Sequence, residues 1–303
     1  MRVTPRDGAL LDDASIGETL MKSKHRYDLS GKTVLITGAA RGIGAHAARR
    51  LHSMGANVSL VGIEPESLAG LTEQLGRRAA YFHADVTSTT ELRDAAEGTA
   101  STFGGIDVVI ANAGIAPPTT TIIDIEPIAF ERTLEVNLLG VWRTVGATLP
   151  YVIERRGHIA LIASIYAFLN GTLNASYAMS KAGVEQFGRA LSVELAGTGA
   201  TAGTVYFGFV DTDMADHAFA QPAAAALRTA LPAFLTRPMT LATAVDALTD
   251  GIQFRRSRVT APRWVGPALL ARGPSMLLDE YMRRSAKVQR AVEVATKGVA
   301  CRG

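Results

Sequence analysis

The chain has a single cysteine, Cys301, close to its C-terminal end. That excludes a disulfide framework and any CxxC metal or redox site, and it fits a reducing compartment and a cytoplasmic location. A strong excess of one charge is also lacking: 31 Lys and Arg stand against 28 Asp and Glu, a net +3. With no nucleic-acid-binding motif, this charge gives no ground for a nucleic-acid partner. No apolar window reaches the length of a membrane span. The opening MRVTPRDGALLDDASIGETL carries acids and glycines where a secretory signal needs an unbroken apolar stretch, so a soluble protein is expected. The six histidines form no HxxxH or His/carboxylate pair at ligand spacing, so no metal is expected.

What the chain does have is apolar content: 48% of its 303 residues, enough for a substantial core. From residue 33 onward short β-branched runs alternate with longer helical stretches. The strands read as Thr33–Thr37, Asn57–Val61, Ala79–His83, Asp107–Ala111, His158–Ala163, Thr201–Tyr206 and Arg258–Ala261. Helices fall near 43–54, 65–75, 89–103, 126–149, 175–197 and 240–252. Runs such as TVLIT and DVVIA do not alternate, as expected of parallel strands covered on both faces. The pattern predicts an α/β fold: a doubly wound parallel sheet of about seven strands in a three-layer α/β/α sandwich, spanning residues 28–262. Residues 1–27 form an N-terminal arm. Residues 211–238, Ala-rich and punctuated by proline, interrupt the scheme after the sixth strand, where substrate lids occur. Residues 263–303 form a basic extension with a helix over about 275–295: positions 255–303 hold eleven Lys/Arg against three Asp/Glu.

After the first strand comes Thr37-Gly38-Ala39-Ala40-Arg41-Gly42-Ile43-Gly44, with a helix opening inside it. Glycine lets a backbone approach a pyrophosphate, and a helix N-terminus offers free N–H groups to an anion. On these glycines alone, a tight turn without ligand remains an alternative. Taken with Ala111-Asn112-Ala113-Gly114 after the fourth strand and Tyr177-Ala-Met-Ser-Lys181, the turn resembles the short-chain dehydrogenase/reductase family. The landmarks run in that family's order from residue 37 to 212.

The resemblance implies a Rossmann-type fold and an NAD(P)(H)-dependent oxidoreductase. It implies cofactor contacts from Gly38, Ala40, Arg41, Gly42, Ile43 and Gly44, from Gly62 and Ile63 at the end of the second strand, and from Asp85 and Val86 after the third. Asn112, Ala113, Gly114, Tyr177, Lys181, Gly208, Val210 and Thr212 complete the set. An acidic clamp for the adenine ribose is missing at Gly62-Ile63, with Glu64 only afterwards, while Arg41 resembles a 2′-phosphate partner. This favours NADP(H) over NAD(H), with a Glu64 that reaches a ribose hydroxyl or repels a phosphate as the opposing reading. Arg41 also reads as a solvated loop charge, and Asp85 as a helix cap. Phe207 stands where the family usually has proline.

Tyr177 and Lys181, four apart on a helix, share a face. An ammonium nearby favours the charged form of a phenol that is otherwise a poor base at neutral pH. Ser164 closes the fifth strand, where its hydroxyl can polarise a substrate oxygen. By resemblance Lys181 also bonds the nicotinamide ribose and Asn137 holds a water in a proton relay. The four imply hydride transfer between cofactor and a carbonyl or secondary alcohol, with Tyr177 moving the proton. A catalytically silent NAD(P)-sensing protein on the same fold is the alternative, though it has no need of the relay.

Ile165, Tyr166, Phe168, Leu169, Asn174, Phe209, Met214 and Phe219 are expected to wall the substrate side, a mostly apolar set that suits a lipid-, steroid- or polyketide-like ketone or alcohol. The tail reads either as a helix packed on the body or a partner subunit, the favoured reading, or as a peripheral membrane contact. Relatives of this kind are usually homodimers or homotetramers.

Overall fold

The computed structural model describes residues 26–273 and 275–300, apart from the side chains of 275–278, 280 and 297–300. Arm residues 1–25, the side chains of Met276, Leu277 and Leu278, and Cys301 lie outside the described residues.

Seven strands form one all-parallel sheet: β1 (Thr33–Thr37), β2 (Asn57–Gly62), β3 (Ala79–His83), β4 (Val108–Ala111), β5 (His158–Ile162), β6 (Thr201–Phe207) and β7 (Arg258–Ala261). Their order is β3-β2-β1-β4-β5-β6-β7. The chain winds outward from β1 in one direction and from β4 in the other, and ligands of such sheets bind beyond the carboxyl ends of the strands where the winding reverses.

The helices are α1 (Gly42–Ser53), α2 (Pro65–Leu75), α3 (Thr89–Phe103), α4 (Pro127–Leu134), α5 (Gly140–Glu154), α6 (Ala175–Glu194), α7 (Asp213–Phe219), α8 (Pro222–Ala230), α9 (Ala233–Thr236), α10 (Leu241–Gln253), α11 (Val265–Leu270), α12 (Ser275–Arg284) and α13 (Ala286–Ala300). On one face of the sheet Ala47, Leu51, Leu68 and Leu248, from α1, α2 and α10, pack on Val34, Ile36 and Leu60. On the other, Leu92, Val141, Val184 and Leu191, from α3, α5 and α6, pack on Leu35, Val109 and Leu161. Both faces are covered, which is why every residue of β1, β4 and β5 is buried.

The stretch predicted as one helix over 126–149 is three pieces. A π-helical turn, Glu135–Leu139, joins α4 to α5 and carries the fully buried Asn137; such turns cluster at functional sites. The tail helix is also divided, at Ser285, and α11 precedes it. The division lets Met282 of α12 and Val288, Ala291 and Ala295 of α13 enter one apolar cluster with Leu173 and with Ala223, Leu227 and Ala230 of α8. The tail's apolar side is therefore turned onto α8. No helix among the described residues is long and apolar enough to cross a membrane.

Candidate active site

The loop after β1 takes its shape from glycine. Gly38 (φ +64°) and Gly42 (φ +55°) sit in the left-handed region, and a Cβ on Gly44 would lie 2.2 Å from the Gly38 carbonyl oxygen. The amide of Asn112 clamps the turn from β4, donating from Nδ2 to the carbonyls of Thr37 (2.9 Å) and Gly38 (3.1 Å). Thr37 Oγ1 accepts from the backbone N–H groups of Asn112 and Ala113 at 3.1 and 3.2 Å. Arg41, at the start of α1, makes no side-chain cap, so the first-turn N–H groups are free to meet an anion. The turn fits a dinucleotide pyrophosphate.

At the end of β2 the structure adds what spacing did not show. The Glu64 carboxylate folds back against Gly62, 3.6 Å from where its Cβ would be, and pairs with Arg41 at 3.3 Å. Ile63 is exposed beside it. Asp85 pairs with Arg132 at 3.3 Å, Ser88 rather than Asp85 caps α3, and Val86 is buried against Gly140.

Ser164 leaves β5 in an extended conformation and starts a 3-10 turn, Ile165–Ala167, by accepting from the Tyr166 N–H at 3.3 Å. Its hydroxyl also lies 3.4 Å from the Phe207 carbonyl, bridging the ends of β5 and β6. Tyr177 and Lys181 come from the first two turns of α6. Burial pushes the Tyr177 phenol up to about 12, and a hydrogen bond from Ser164 works against that rise. Burial lowers Lys181 to about 8. Its Nζ lies 5.5 Å from the Tyr177 ring centroid, placing an ammonium beside the phenol, and donates to the Ile162 carbonyl at 2.9 Å. Two of its N–H bonds remain for a ligand, which suits ribose hydroxyls. Asn137 donates to the Ile115 carbonyl (2.9 Å) and accepts from the Ile115 N–H (2.8 Å), fixing the loop after Gly114 to the π turn.

Ser164 and Tyr177 open onto a cavity of about 160 Å³, the order of size that takes a benzene ring. Ile43, Gly208, Val210 and Thr212 of the cofactor set line it, as do Ile165, Tyr166, Asn174, Phe209, Met214 and Phe219 of the substrate set. Phe207 also lines it, closing β6 with its ring buried. Phe168 and Leu169 do not line it. The 3-10 turn carries Phe168 to the far side, where it meets Tyr206 (ring centroids 6.2 Å) and the Arg272 guanidinium (5.5 Å). Among the lining residues missed were Ala224, Leu227, Arg228 and Leu231, from α8 and the residue after it. An Ala-rich run announces a helix but does not show which side faces a cavity. Among the described residues no group of His, Cys, Asp and Glu is placed to hold a metal ion.

Known proteins resemble the chain in sequence and in fold. The family model described as short chain dehydrogenase matches residues 32–223. Over 186 residues the chain is 33% identical to an uncharacterized oxidoreductase of Staphylococcus epidermidis, covering 61% of this chain and 80% of that one. Over 179 residues it is 34% identical to (+)-borneol dehydrogenase 1 of Salvia officinalis, covering 58% and 69%. Among solved structures it is similar to a short-chain dehydrogenase/reductase of unknown function from Caenorhabditis elegans with cofactor. The TM-score is 0.68 at 26% identity, covering 77% of this chain and 94% of that one.

Proposed function

The chain belongs to the short-chain dehydrogenase/reductase family and is an NAD(P)-dependent oxidoreductase, and on that premise we propose that Tyr177 is its proton-transfer residue in the interconversion of an apolar ketone and its secondary alcohol. The observation that carries this reading is the convergence of Ser164 and Tyr177 on one apolar cavity, with Lys181 buried behind them.

The bound nicotinamide would exchange a hydride with the substrate carbon. The residues that would hold the cofactor are the turn Gly38–Gly44, the β4 end at Asn112–Gly114, the Lys181 ammonium and the segment Gly208–Thr212. Ser164 hydrogen-bonds the substrate oxygen as charge grows on it. Tyr177, whose phenol keeps its proton at neutral pH, donates that proton to the oxygen in reduction and takes it back in oxidation. Lys181, still largely protonated at pH 7, places positive charge beneath the tyrosine ring. Asn137 keeps the loop at Ile115 against the π turn and has one amide N–H left for a water.

For the cofactor, Arg41 supports NADP(H) over NAD(H). Its exposed pairing with Glu64 is worth only about 0–1 kcal/mol and yields to a 2′-phosphate. Glu64→Gln should strengthen that preference and Arg41→Ala should reverse it. The apolar lining supports a lipophilic substrate, and the borneol dehydrogenase relative acts on an alcohol of that kind. A homodimer or homotetramer is supported by Ile128, Leu139, Trp142 and Met179, large apolar side chains left exposed on α4, the π turn, α5 and α6. A low cysteine content supports a cytoplasmic site of action.

The test is a screen of ketones and secondary alcohols with NADH, NADPH and their oxidised forms, read by nicotinamide absorbance. Tyr177→Phe should lower turnover of any substrate found by about 10²–10⁴ while leaving nucleotide binding in place. Undiminished turnover in that variant would overturn the mechanism. Nucleotide binding with no turnover of any compound would favour a silent sensor instead.

A further inference from the structure

Four rings run in sequence away from the active-site phenol. Tyr177 meets Tyr166 edge-on at 5.7 Å between centroids, Tyr166 meets Phe209 at 6.1 Å, and Phe209 meets Phe219 at 4.9 Å. The row ends on a cation: the Arg228 guanidinium of α8 lies 4.7 Å from the Phe219 ring centroid. All five residues line the one cavity, and among the described residues Arg228 is the only lining side chain charged at neutral pH. Among the described residues no carboxylate pairs with it.

A guanidinium stacked on a ring spends its face on the π system and keeps its N–H edge for a planar anion. Phe219 therefore holds Arg228 in place without saturating it. Arg228 is itself solvent-exposed at the mouth of the cavity while Tyr166, Phe209 and Phe219 are half-buried, so it can meet the charged end of a ligand whose apolar part lies on the rings.

We propose that the substrate is amphipathic: an apolar body laid along Tyr166, Phe209 and Phe219, a carbonyl or carbinol at Tyr177, and a carboxylate or similar anion at the remote end, paired with Arg228. Arg228 is then a specificity-determining residue that takes no part in proton transfer. The inference rests on the oxidoreductase reading above and narrows its substrate class from lipophilic to lipophilic and anionic.

The test uses benzoylalkanoates with two to six methylenes between ketone and carboxylate, each beside its methyl ester, assayed with the preferred reduced cofactor. For at least one chain length the wild type should favour the acid over the ester in kcat/KM by ten-fold or more, with the difference mainly in KM. Arg228→Gln should remove most of that ratio, Arg228→Glu should invert it, and Arg228→Lys should restore part of it. Calorimetric binding of 4-phenylbutanoate to the protein with oxidised cofactor gives a second readout, expected to weaken at least ten-fold in Arg228→Gln. An acid-to-ester ratio that is the same in wild type and Arg228→Gln overturns the anion assignment and leaves the oxidoreductase reading standing. Arg228-dependent binding of 4-phenylbutanoate with no turnover of any ketone does the reverse. Equal binding in both proteins with no turnover removes both.

Discussion

Replacing Gly44 by alanine sets two effects of opposite sign against each other. Gly44 lies in the first turn of α1, and a helical glycine exchanged for alanine ordinarily gains about 0.5–1 kcal/mol through a stiffer unfolded chain. The new methyl group would meet the Gly38 carbonyl oxygen at 2.2 Å, Asn112 Nδ2 at 2.9 Å and Ala39 Cα at 3.0 Å. Two of these neighbours are backbone in a turn that Asn112 holds from behind, so they cannot rotate away as a long side chain would. Overpacking of that kind costs about 1–3 kcal/mol, and the net effect is a loss of about 1–2 kcal/mol. At roughly 2–4 °C per kcal/mol for a domain of this size, the melting temperature of Gly44→Ala should fall by about 2–8 °C. Nucleotide affinity should fall at least ten-fold, because the displaced backbone is the cradle itself. Gly70, in α2 with nothing within 4 Å of the point a Cβ would occupy, serves as the control. Gly70→Ala should melt about 1–4 °C higher than wild type and bind nucleotide normally. Calorimetric melting and titration with NAD(H) and NADP(H) measure both quantities. A Gly44→Ala protein as stable as Gly70→Ala, with unweakened nucleotide binding, would refute the packing argument.

Lys181 carries a cost in the nucleotide-free protein. Its folded pKa, lowered by burial to about 8 from 10.5, means that the unfolded chain binds more protons between those values, so its contribution to stability improves as pH rises from 8 to 10.5 and the full penalty applies below 8. Lys181→Met should therefore be more stable than wild type at pH 7, by about 1–3 kcal/mol, while losing turnover; a lower melting point in the absence of nucleotide contradicts this. His158 works in an acid window. Burial, reinforced by Arg255, lowers it from 6.5 to about 3, so the unfolded chain alone takes up its proton and stability falls as pH drops from 6.5 towards 3, by up to about 1.4 kcal/mol per pH unit. His158→Asn, which keeps a partner for the Thr201 hydroxyl now 2.9 Å from Nδ1, should flatten that slope in urea titrations at pH 7, 6 and 5. Ala291→Asp would bury a carboxylate among Leu227, Ala230 and Val288, at a cost of several kcal/mol that falls on the α8–α13 cluster rather than on the sheet. Substrate KM should rise at least five-fold, with nucleotide affinity unchanged in a fluorescence titration.

The sheet and its glycine turn were legible because their signals are local. Unbroken apolar runs between turn residues mark buried parallel strands, and Tyr177 and Lys181 show their shared face by spacing alone. Features that depend on a neighbour remote in sequence were not legible. Glu64 is two residues past the end of β2, and only the fold-back of its side chain brings its carboxylate to Gly62 and Arg41. Phe168 belongs by position to the substrate wall, yet a single 3-10 turn after Ser164 sends its ring towards Tyr206. The π turn at Glu135–Leu139 has no composition of its own, since its residues would continue an α-helix equally well. Arg228 sits in a run of alanines whose burial on both sides, cavity and tail, is decided by where α12 and α13 come to rest.

That double burial of α8 ties two parts of the chain that sequence comparison would treat separately. The match to the family model stops at residue 223, one residue past the start of α8, so α8 and the tail packed on it lie almost wholly beyond the matched residues. A change of side-chain size on the packed face of α8 thus has to be matched on α13. A chimera that imports a lid from a relative without its own tail would leave Val288 and Ala291 facing a foreign surface, whereas residues 211–300 moved as one block would carry their own packing with them.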